Sequence, residues 1–545
     1  MQTTDQTIKI ALAQINLKVG DINANTEQVL NIVEEVKAHN VDLLLFPELT
    51  ITGYPPEDLL FRNGLYTQVE QALDRIKAAT SGVSIIVGYP RREKGDVYNS
   101  ACLIREGEIE SIYDKMALPN YSVFDEQRYF KTGTKAAVFE LCGVKFGITI
   151  CEDIWEKGPA KSAVGDGAQC ILNINASPFH RGKYVNREAT VAKRIKENNV
   201  PVVYLNLVGG QDELVFDGAS FVMNSKAEVT TRLSTFQEQL EIIEIDKRSI
   251  ESISSSIQAH PQELAAIYQA LVLGVGDYVR KNRFKGVVIG LSGGIDSALT
   301  LAVAVDALGA ENVEAIMLPT RYTSDISLTD AELLAQGLSV DYKVIPIEPA
   351  FETFLTMLEP EFEGKAVDAT EENIQARVRG LILMAISNKK GAMVLTTGNK
   401  SEMSVGYSTL YGDMAGGFDV LKDVPKTTVF ELSRYCNRDS EIIPTRIIDR
   451  PPSAELREDQ TDQDSLPEYE ILDAILELYV EQEVSIDKIV ARGFDEEVVY
   501  RVARLVDINE YKRRQAPPGV RITPKAFGRD RRYPITSGFI DLKKP

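Results

Sequence analysis

Residues 286–308 carry the side chains whose types and spacing indicate chemistry most directly. The segment reads GVVIGLSGGIDSALTLAVAVDAL: a β-branched run, two adjacent glycines, then an Ala-rich apolar pattern. A strand, a glycine turn and a helix N-terminus in this order gather backbone N–H groups and the positive end of a helix dipole around an anion. Asp296 can hold Mg²⁺, and the hydroxyls of Ser292 and Ser297 can donate to phosphate oxygens. The segment predicts a phosphate site; a tight turn with Asp296 or Ser297 as a helix cap is the alternative.

The Lys of a G-x-x-x-x-G-K-[ST] loop is absent, which argues against an ordinary kinase or GTPase site. Residues 292–297, SGGIDS, instead resemble the SGGxDS pyrophosphate loop of enzymes that split ATP into AMP and pyrophosphate. That resemblance implies ATP as cosubstrate and Mg²⁺ bound by Asp296. The residues assigned to ATP here are Gly290, Leu291, Ser292, Gly293, Gly294, Ile295, Asp296 and Ser297.

Length and composition limit the class of protein. A chain of 545 residues with 44% hydrophobic and 26% charged residues is typical of a globular protein with at least two domains. Its net charge of −20 argues against a nucleic-acid partner. There is no recognisable signal peptide or membrane-spanning apolar run, so we expect a cytoplasmic enzyme without a membrane partner.

The five cysteines are odd in number and lack metal-type spacing, which argues against a disulfide framework and against a zinc site. One of them is therefore available as a nucleophile. The five are Cys102, Cys142, Cys151, Cys170 and Cys436.

Two α/β series make up the chain. Strand-like runs such as IKIALAQI and VPVVYLNLV fill residues 1–246 and predict a layered α/β domain. Residues 247–262 are rich in Ser, Ile and Gln and are predicted to be a linker. In residues 263–545, runs such as VVIGL and MVLTTG alternate with helical patterns, which predicts an open, Rossmann-like parallel sheet.

Three reactive side chains follow predicted strands of the first domain: Glu48, Lys115 and Cys151. A cysteine nucleophile needs a base, and its tetrahedral adduct needs a positive donor near the oxyanion. Glu48 can be the base and Lys115 the donor. Taken singly, each has an ordinary structural explanation: a turn glutamate, a surface lysine or a core cysteine.

The segments around these residues, LLLFPELTITGYPPEDL, YDKMALPNYSVFDEQRYF and GITICEDIW, resemble the three signature regions of the nitrilase superfamily. The resemblance implies an α-β-β-α sandwich and a Glu-Lys-Cys triad that cleaves carbon–nitrogen bonds. It also implies that Glu126 is an accessory glutamate. Joined to an ATP pyrophosphatase of the adenine nucleotide α-hydrolase type, such a domain would release ammonia for transfer to an adenylated acid. Because free ammonia near pH 7 becomes ammonium, we expect an enclosed passage between the two sites.

Both domains together resemble the glutamine-dependent NAD⁺ synthetase family, from about Ile8 to the C-terminus. The resemblance implies L-glutamine, ATP and deamido-NAD⁺ as substrates, and a homo-oligomer formed through the synthetase domain. Tyr121, Ser177 and Lys183 match the positions that hold glutamine, and Trp155 is either a wall of that pocket or core packing.

In the second domain, the segment ENIQARVRGLILMAISN matches the family's helix that meets deamido-NAD⁺. Asn373 and Arg377 share one face of that helix, being four residues apart. Thr397 matches an ATP-contacting threonine, and Glu402 an acidic residue that touches metal or substrate. For each of these, a solvated or helix-capping side chain is the alternative.

Further matches lie in loops and near the C-terminus. We predict a mobile cover over the substrate at GDMAGGFDVLKDVPKTTV, and a basic element that closes on the dinucleotide at EYKRRQAP. Leu410 replaces the usual Lys of the ammonia-only synthetases, so that contact is not carried over. The remaining candidates are Asp413, Asp419 and Lys426 in the cover, Ser453 near ATP, and Lys512, Arg513 and Arg514 in the basic element.

Two other functions fit part of the pattern. An amidotransferase acting on another carboxylic acid, as GMP and asparagine synthetases do, shares the ammonia and ATP chemistry, but ENIQARVRG argues against it. A nucleotide-binding regulator with degenerate sites is disfavoured because Glu48, Lys115, Cys151 and Asp296 are all present.

Overall fold

The computed structural model describes residues 6–458 and 460–539. The chain divides into two compact units, the first ending at Pro261 and the second beginning at Gln262. No helix within the described residues is both long and apolar enough to cross a membrane.

Strands dominate the first unit. Its strands are β1 Thr7–Gln14, β2 Leu43–Leu45, β3 Ser84–Glu93, β4 Asp96–Arg105, β5 Glu108–Asp114, β6 Ala137–Leu141, β7 Val144–Ile150, β8 Cys170–Asn175, β9 Val202–Asn206, β10 Val208–Gln211, β11 Leu214–Asp217, β12 Phe221–Met223, β13 Val229–Arg232, β14 Gln239–Asp246 and β15 Ser256–Ile257. Its helices are α1 Ile22–Lys37, α2 Asn63–Ala79, α3 Lys157–Gly165 and α4 Lys183–Asn198, with 3₁₀ turns at Glu57–Phe61, Glu126–Arg128 and Cys151–Ile154.

Two mixed sheets stack face to face in this unit. Their strand orders are β14-β1-β2-β3-β4-β5 and β15-β13-β12-β9-β8-β7-β6. Alternate residues of a strand point to opposite faces, so Ile10 and Leu12 join Ile148 and Leu172 in the core between the sheets. The opposite face of the first sheet packs on α1 and α2, and that of the second on α3 and α4. The predicted α-β-β-α sandwich is confirmed.

The segment predicted as a linker lies against the first unit. Ser256–Ile257 pairs in parallel with β13, and the Gln258 N–H donates to the Arg232 carbonyl over 3.0 Å. His260 Nε2 lies 2.8 Å from Glu188 Oε1, and its ring stacks on Tyr184. The predicted domain limits, 1–246 and 263–545, stay predictions.

The second unit is built on a parallel sheet. Its strands are β16 Val287–Gly290, β17 Val313–Met317, β18 Asp341–Val344, β19 Met393–Thr396 and β20 Phe418–Asp419. Its helices are α5 Glu263–Lys281, α6 Ile295–Leu308, α7 Asp325–Gly337, α8 Glu348–Phe362, α9 Ala369–Lys390, α10 Lys400–Val405, α11 Lys426–Cys436, α12 Thr445–Asp449, α13 Tyr469–Leu476, α14 Ile486–Val490, α15 Glu496–Ile508 and α16 Glu510–Arg513, with 3₁₀ turns at Ala310–Asn312 and Asp462–Asp464 and a π-turn at Glu477–Glu481.

The strand order β18-β17-β16-β19-β20, parallel throughout, confirms the predicted Rossmann-like sheet. Val288 and Ile316 on one face pack with residues of α8 and α9, while α10, α13 and α15 form a separate helical core. After β16 the chain adds β17 and β18 on one side of that strand. It then crosses to the other side, where β19 pairs with β16. Ligands of open α/β sheets bind at such a switch point, beyond the carboxyl ends of the strands.

Candidate active sites

Three strand ends of the first unit bring Glu48, Lys115 and Cys151 into one buried cluster. Glu48 follows β2, Lys115 follows β5 and Cys151 follows β7. A side chain at Gly88 on β3 would lie 2.4 Å from the Leu49 nitrogen, so the Glu48 turn can reach this position only because residue 88 is glycine.

Lys115 lies between two carboxylates. Its Nζ is 2.7 Å from Glu48 Oε1 and 2.9 Å from Glu126 Oε1. Lys115 and Glu48 are 0% exposed and Glu126 is 4% exposed. An ammonium has three donors, so this arrangement leaves one for another ligand.

Each carboxylate has further partners that hold it in place. Glu48 Oε1 accepts from Asn99 Nδ2 over 2.7 Å, and its Oε2 accepts from the Ala176 N–H over 2.9 Å. Glu126 Oε1 accepts from the Tyr54 hydroxyl over 2.9 Å, while its Oε2 is buried without a hydrogen-bond partner. The cluster is therefore rigid on the Glu48 side and keeps an open acceptor on Glu126.

Cys151 lies on a tight turn between β7 and a 3₁₀ helix, with φ at +46°. Asp153 fastens this turn: its Oδ2 accepts from the Ile150 N–H over 2.9 Å and its Oδ1 accepts from the N–H groups of Met116 and Ala117. Met116 directly follows Lys115. The same carboxylate thus ties the cysteine turn to the lysine segment.

Burial determines the protonation of these groups. It raises the pKa of the Cys151 thiol well above its usual range; the Glu48 carboxylate raises it further, against the opposing effect of Lys115. Burial disfavours the charge on Lys115, but Glu126 and Glu48 outweigh that effect and raise its pKa well above the usual range. Burial also raises the pKa of Glu126. At neutral pH the site holds a protonated thiol beside a positive ammonium.

The residues predicted to hold glutamine differ in how exposed they are to solvent. Tyr121 is 55% exposed, and its hydroxyl is 2.9 Å from Glu152 Oε1, next to Cys151 in the chain. Lys183 begins α4 and places its Nζ 4.2 Å from the centroid of the Trp155 ring.

Ser177 is buried. Its hydroxyl accepts from Arg187 Nε over 3.1 Å, and Arg187 Nη1 makes an ion pair of 2.7 Å with Asp217. A buried ion pair therefore fixes Ser177, and the strand-end position of this serine is rigid.

A thiol with a carboxylate acceptor and an ammonium donor can carry out acyl transfer. The carboxylate can take the thiol proton, the sulfur can attack an amide carbon, and the ammonium can stabilise the resulting oxyanion. The first site therefore has the groups needed to hydrolyse an amide.

In the second unit, the 290–297 loop connects β16 to α6. Gly293 has φ at +81°, and a side chain there would lie 2.5 Å from the Ser327 carbonyl oxygen. Ser292 and Ser297 close the loop with hydroxyl oxygens 3.1 Å apart, and the Leu291 N–H donates to the Ile316 carbonyl over 2.9 Å.

No side chain in the described part of the chain caps the N-terminus of α6. Gly294 is its N-cap residue, and neither Asp296 nor Ser297 caps the helix. The first N–H groups of a helix lack intrahelical partners and favour an anion. The loop therefore has the backbone geometry of a phosphate site rather than of a capped helix start.

Asp296 and Glu402 share a cation in the structure. Lys426 Nζ forms ion pairs with Asp296 Oδ2 and, over 3.2 Å, with Glu402 Oε1. Asn399 donates to Asp296 Oδ1 over 3.0 Å and accepts from the Glu402 N–H over 3.0 Å. The side chains of Asp296 and Glu402 remain 18% and 19% exposed, whereas that of Lys426 is 1% exposed.

A cavity of about 260 Å³ opens at the switch point between β16 and β19. Arg379 lines it and donates through Nε to the Leu318 carbonyl over 3.0 Å. Residues predicted to bind ATP that line this cavity are Gly290, Leu291, Ser292, Thr397 and Ser453.

Segment 406–410 contacts three of the residues predicted to bind the dinucleotide. Asn373 Oδ1 accepts from the Thr409 hydroxyl over 2.8 Å, and Arg377 Nε donates to the Leu410 carbonyl over 3.2 Å. Lys512 Nζ donates to the carbonyls of Gly406 and Ser408 over 2.7 and 2.9 Å.

The rest of the basic element also bonds within the protein. Arg514 donates to Glu510 Oε1 and to the Tyr533 carbonyl, both over 2.9 Å, and the buried Arg513 donates to the Ser404 carbonyl over 2.6 Å. Each of these guanidinium groups already has a protein partner before any ligand binds.

The predicted cover segment is partly regular. Asp419 belongs to β20 and is 2% exposed, Asp413 accepts from the Thr409 N–H over 2.7 Å, and Lys426 is the first residue of α11. Asp419 Oδ1 is buried without a hydrogen-bond partner.

Several residues that hold these sites were not found by sequence reasoning. They are Tyr54, Asn99, Asp153, Arg187, Asp217, Arg379 and Asn399. Most have partners far away in the chain, and that pairing leaves no local pattern. Asn399 has a local signal, because it lies three residues before Glu402 in an N-cap position.

Family comparisons match both units. The carbon-nitrogen hydrolase family model matches residues 9–254, and the NAD synthase family model matches residues 267–516. The two matches meet near the division between the compact units.

Relatives and solved structures match almost the whole chain. A glutamine-dependent NAD(+) synthetase of Acinetobacter baylyi is 49% identical over 536 residues, covering 98% of this chain and 99% of that protein. The structure of glutamine-dependent NAD+ synthetase from Acinetobacter baumannii in complex with ADP is 45% identical with a TM-score of 0.80, covering 99% of this chain and 100% of that one. A glutamine-dependent NAD(+) synthetase structure from Cytophaga hutchinsonii gives a TM-score of 0.85 at 25% identity, covering 98% of both chains.

Proposed function

The chain belongs to the family of glutamine-dependent NAD⁺ synthetases, and on this premise we propose how its residues divide the reaction between the two units. The enzyme is a ligase that amidates deamido-NAD⁺ to NAD⁺ with ATP, releasing AMP and pyrophosphate, and takes its nitrogen from glutamine. The first unit releases ammonia and the second consumes it.

Glutamine hydrolysis begins when Glu48 takes the Cys151 thiol proton and Sγ attacks the side-chain amide carbon. Lys115 stabilises the oxyanion with its remaining donor, and Glu48 returns the proton to the leaving ammonia. Water then cleaves the thioester with Glu48 again as base, giving glutamate and the free thiol. Tyr121, Ser177 and Lys183 hold the substrate glutamine.

One observation carries this assignment. Glu48, Lys115 and Glu126 form a continuous buried chain of contacts at 2.7 and 2.9 Å, and burial, followed by the charges of these groups, shifts the pKa of Cys151. Burying three ionisable groups together is unfavourable unless they are paired, and strongly shifted groups in one cluster are typical of catalysis.

In the second unit the nicotinate carboxylate attacks the α-phosphate of ATP, and pyrophosphate leaves. Ammonia then attacks the adenylated carboxyl, AMP leaves, and a proton is lost from the new nitrogen. The loop residues 290–297 and Thr397 bind ATP, and the uncapped N-terminus of α6 faces the phosphates. Asn373, Arg377, Glu402, Lys512 and Arg514 bind deamido-NAD⁺.

Asp296 and Glu402 are suited to hold Mg²⁺. Two partly exposed carboxylates that converge on one cation, here the Lys426 ammonium, supply the hard oxygen ligands that Mg²⁺ prefers. Bound there with ATP, Mg²⁺ would neutralise phosphate charge and so assist the departure of pyrophosphate.

We further propose that ammonia reaches the synthetase site without mixing with bulk water. The chemical reason is that ammonia at neutral pH is mostly protonated and unreactive. In a reaction with ¹⁵N-labelled glutamine and excess unlabelled ammonium at pH 7, NAD⁺ should carry mostly ¹⁵N. Label diluted in proportion to the ammonium pool would contradict delivery by an enclosed route.

The assembly and compartment are proposals as well. We propose a homo-oligomer formed through the second unit, where Met357 on α8 and Leu381 on α9 are 68% and 62% exposed, and light scattering should give a mass of at least two chains. We propose a cytoplasmic enzyme, which is supported by five cysteines without a disulfide.

Separation of the two half-reactions tests the assignment. Cys151→Ala should abolish NAD⁺ synthesis from glutamine but retain synthesis from supplied ammonia, whereas Asp296→Asn should lose both. The exposed Cys142 is the matched control, and Cys142→Ala should retain both activities. Glutamine-driven synthesis by Cys151→Ala would show that the nucleophile is wrongly assigned.

A further inference from the structure

Asn99 on β4 contacts the general base of the proposed glutaminase site and takes part in none of the chemical steps proposed above. Its side chain is 0% exposed, and Nδ2 donates to Glu48 Oε1 over 2.7 Å. Its carbonyl oxygen, Oδ1, is buried and has no hydrogen-bond partner among the described residues. A buried amide with an unsatisfied acceptor is unfavourable, and an apolar side chain would avoid that penalty.

A count of the acceptor positions on Glu48 shows what the amide does. A carboxylate has about four acceptor positions. Lys115 Nζ and Asn99 Nδ2 both donate to Oε1, and the Ala176 N–H donates to Oε2. One position remains, on Oε2, where the Cys151 proton can be received.

The same strand also positions the lysine. The Lys115 N–H donates to the Asn99 backbone carbonyl over 2.8 Å, so β4 holds the start of the Lys115 segment. This contact uses the main chain and survives a change of side chain. Substitution at residue 99 therefore removes the donor to Glu48 without releasing Lys115.

We propose that Asn99 is a positioning residue of the glutaminase site, whose amide orients Glu48 so that only Oε2 is open to the thiol proton. This inference rests on the proposed role of Glu48 as the base. It concerns the rate of glutamine hydrolysis, not the binding of glutamine.

Asn99→Leu is the main test, made in the full-length enzyme. The kcat for glutamine hydrolysis should fall roughly tenfold to a hundredfold, as small misplacements of catalytic groups do. KM for glutamine should change less than about twofold, because the amide does not touch the substrate. NAD⁺ synthesis from supplied ammonia should keep its wild-type rate.

Asn173 provides a matched control. It is also 0% exposed with an unpartnered Oδ1, but its Nδ2 donates to the Thr149 hydroxyl over 3.0 Å and not to Glu48. Asn173→Leu should leave the glutamine kcat as in the wild type. If Asn99→Leu does not fold, Asn99→Asp, which keeps the shape but removes the N–H donor to Glu48, should also lower the glutamine kcat with little change in KM.

Two results would overturn the proposal. One is a wild-type glutamine kcat in a folded Asn99 variant. The other is an equal loss of glutamine-driven and ammonia-driven synthesis together with a lower melting temperature, which indicates a structural role. Neither result depends on Cys151→Ala, whose retention of glutamine use would instead contradict the proposed function itself.

Discussion

At the scale of residues, Cys151 combines an unusual backbone angle with a thiol that is hard to ionise. Burial and the Glu48 carboxylate disfavour the thiolate and raise the pKa of the thiol. The nucleophile is therefore generated during attack rather than stored as an anion. This distinguishes the site from cysteine sites where a neighbouring cation keeps a thiolate at neutral pH.

The pH dependence of alkylation tests this state. Because the thiolate fraction grows as pH rises toward a raised pKa, the iodoacetamide reaction at Cys151 should accelerate about tenfold per pH unit from pH 7 to pH 9 without a plateau. Peptide mass spectrometry separates Cys151 from the exposed Cys142, the internal control. A plateau for Cys151 below pH 8 would show a preformed thiolate.

Lys426 allows a second prediction for a single residue, because its ammonium lies between the carboxylates of Asp296 and Glu402. Lys426→Met leaves two carboxylates close together, so we expect a loss of about 2 kcal/mol in the free energy of unfolding. That is less than for fully buried pairs, because both carboxylates are partly exposed to solvent. Mn²⁺ without nucleotide should raise the melting temperature of this variant more than that of the wild type.

Lys426→Arg keeps the charge and serves as the control. Its melting temperature should respond to Mn²⁺ as the wild type does. Equal responses of Lys426→Met and the wild type would mean that the two carboxylates do not attract a divalent cation once the lysine is removed.

Some site residues were predictable because a reactive side chain directly follows a predicted strand. Glu48, Lys115 and Cys151 are of this kind, and the structure places the first two in contact at 2.7 Å. Asn99 and Tyr54 were not predictable, because an Asn on a strand and a Tyr before a proline have many ordinary roles. Their roles depend on which carboxylate the fold places beside them.

At the scale of elements, the turn from β16 into α6 is set by one glycine. Gly293→Ala places a methyl group at φ +81° and 2.5 Å from the Ser327 carbonyl oxygen. The backbone angle alone costs roughly 1–2 kcal/mol. The displaced loop should bind ATP at least about tenfold more weakly, as measured by calorimetric titration.

Gly294→Ala is the matched control for that change. Its φ is −90°, and a side chain would lie 3.3 Å from the Ser292 hydroxyl oxygen, which can rotate away. ATP affinity should fall less than in Gly293→Ala. Equal losses would mean that the glycine pair is needed for some reason other than backbone angle.

Elements were predicted better than their ends and partners. The β16 and β19 strands follow from the apolar runs VVIGL and MVLTTG, and the α9 helix from the segment ENIQARVRGLILMAISN; all three lie where predicted. The short strand β15 and the first-unit contacts of residues 247–261 were missed, since a polar Ser- and Gln-rich segment gives no periodicity. Its pairing with β13 is a tertiary effect.

At the scale of the whole molecule, the contacts made by residues 247–261 determine where the first unit ends. Ser225 donates to Glu251 Oε1, the Ile253 N–H donates to the Glu244 carbonyl over 2.9 Å, and His260 lies 2.8 Å from Glu188. A fragment of residues 1–261 should therefore melt several degrees higher than one of residues 1–246. Thermal circular dichroism measures this, and identical melting temperatures would place the end of the unit at residue 246.

Because the chain is synthesised from its N-terminus, β1 is made long before its partner strand β14. The register runs from Thr7 opposite Asp246 to Gln14 opposite Gln239, so the first strand made receives its outer neighbour only after residue 246 has been translated. Until then, a ribosome-bound chain carries an apolar strand with one row of N–H and C=O groups unpaired, the type of edge that seeds aggregation. Growing chains of this enzyme should consequently depend on chaperones up to that length and much less beyond it.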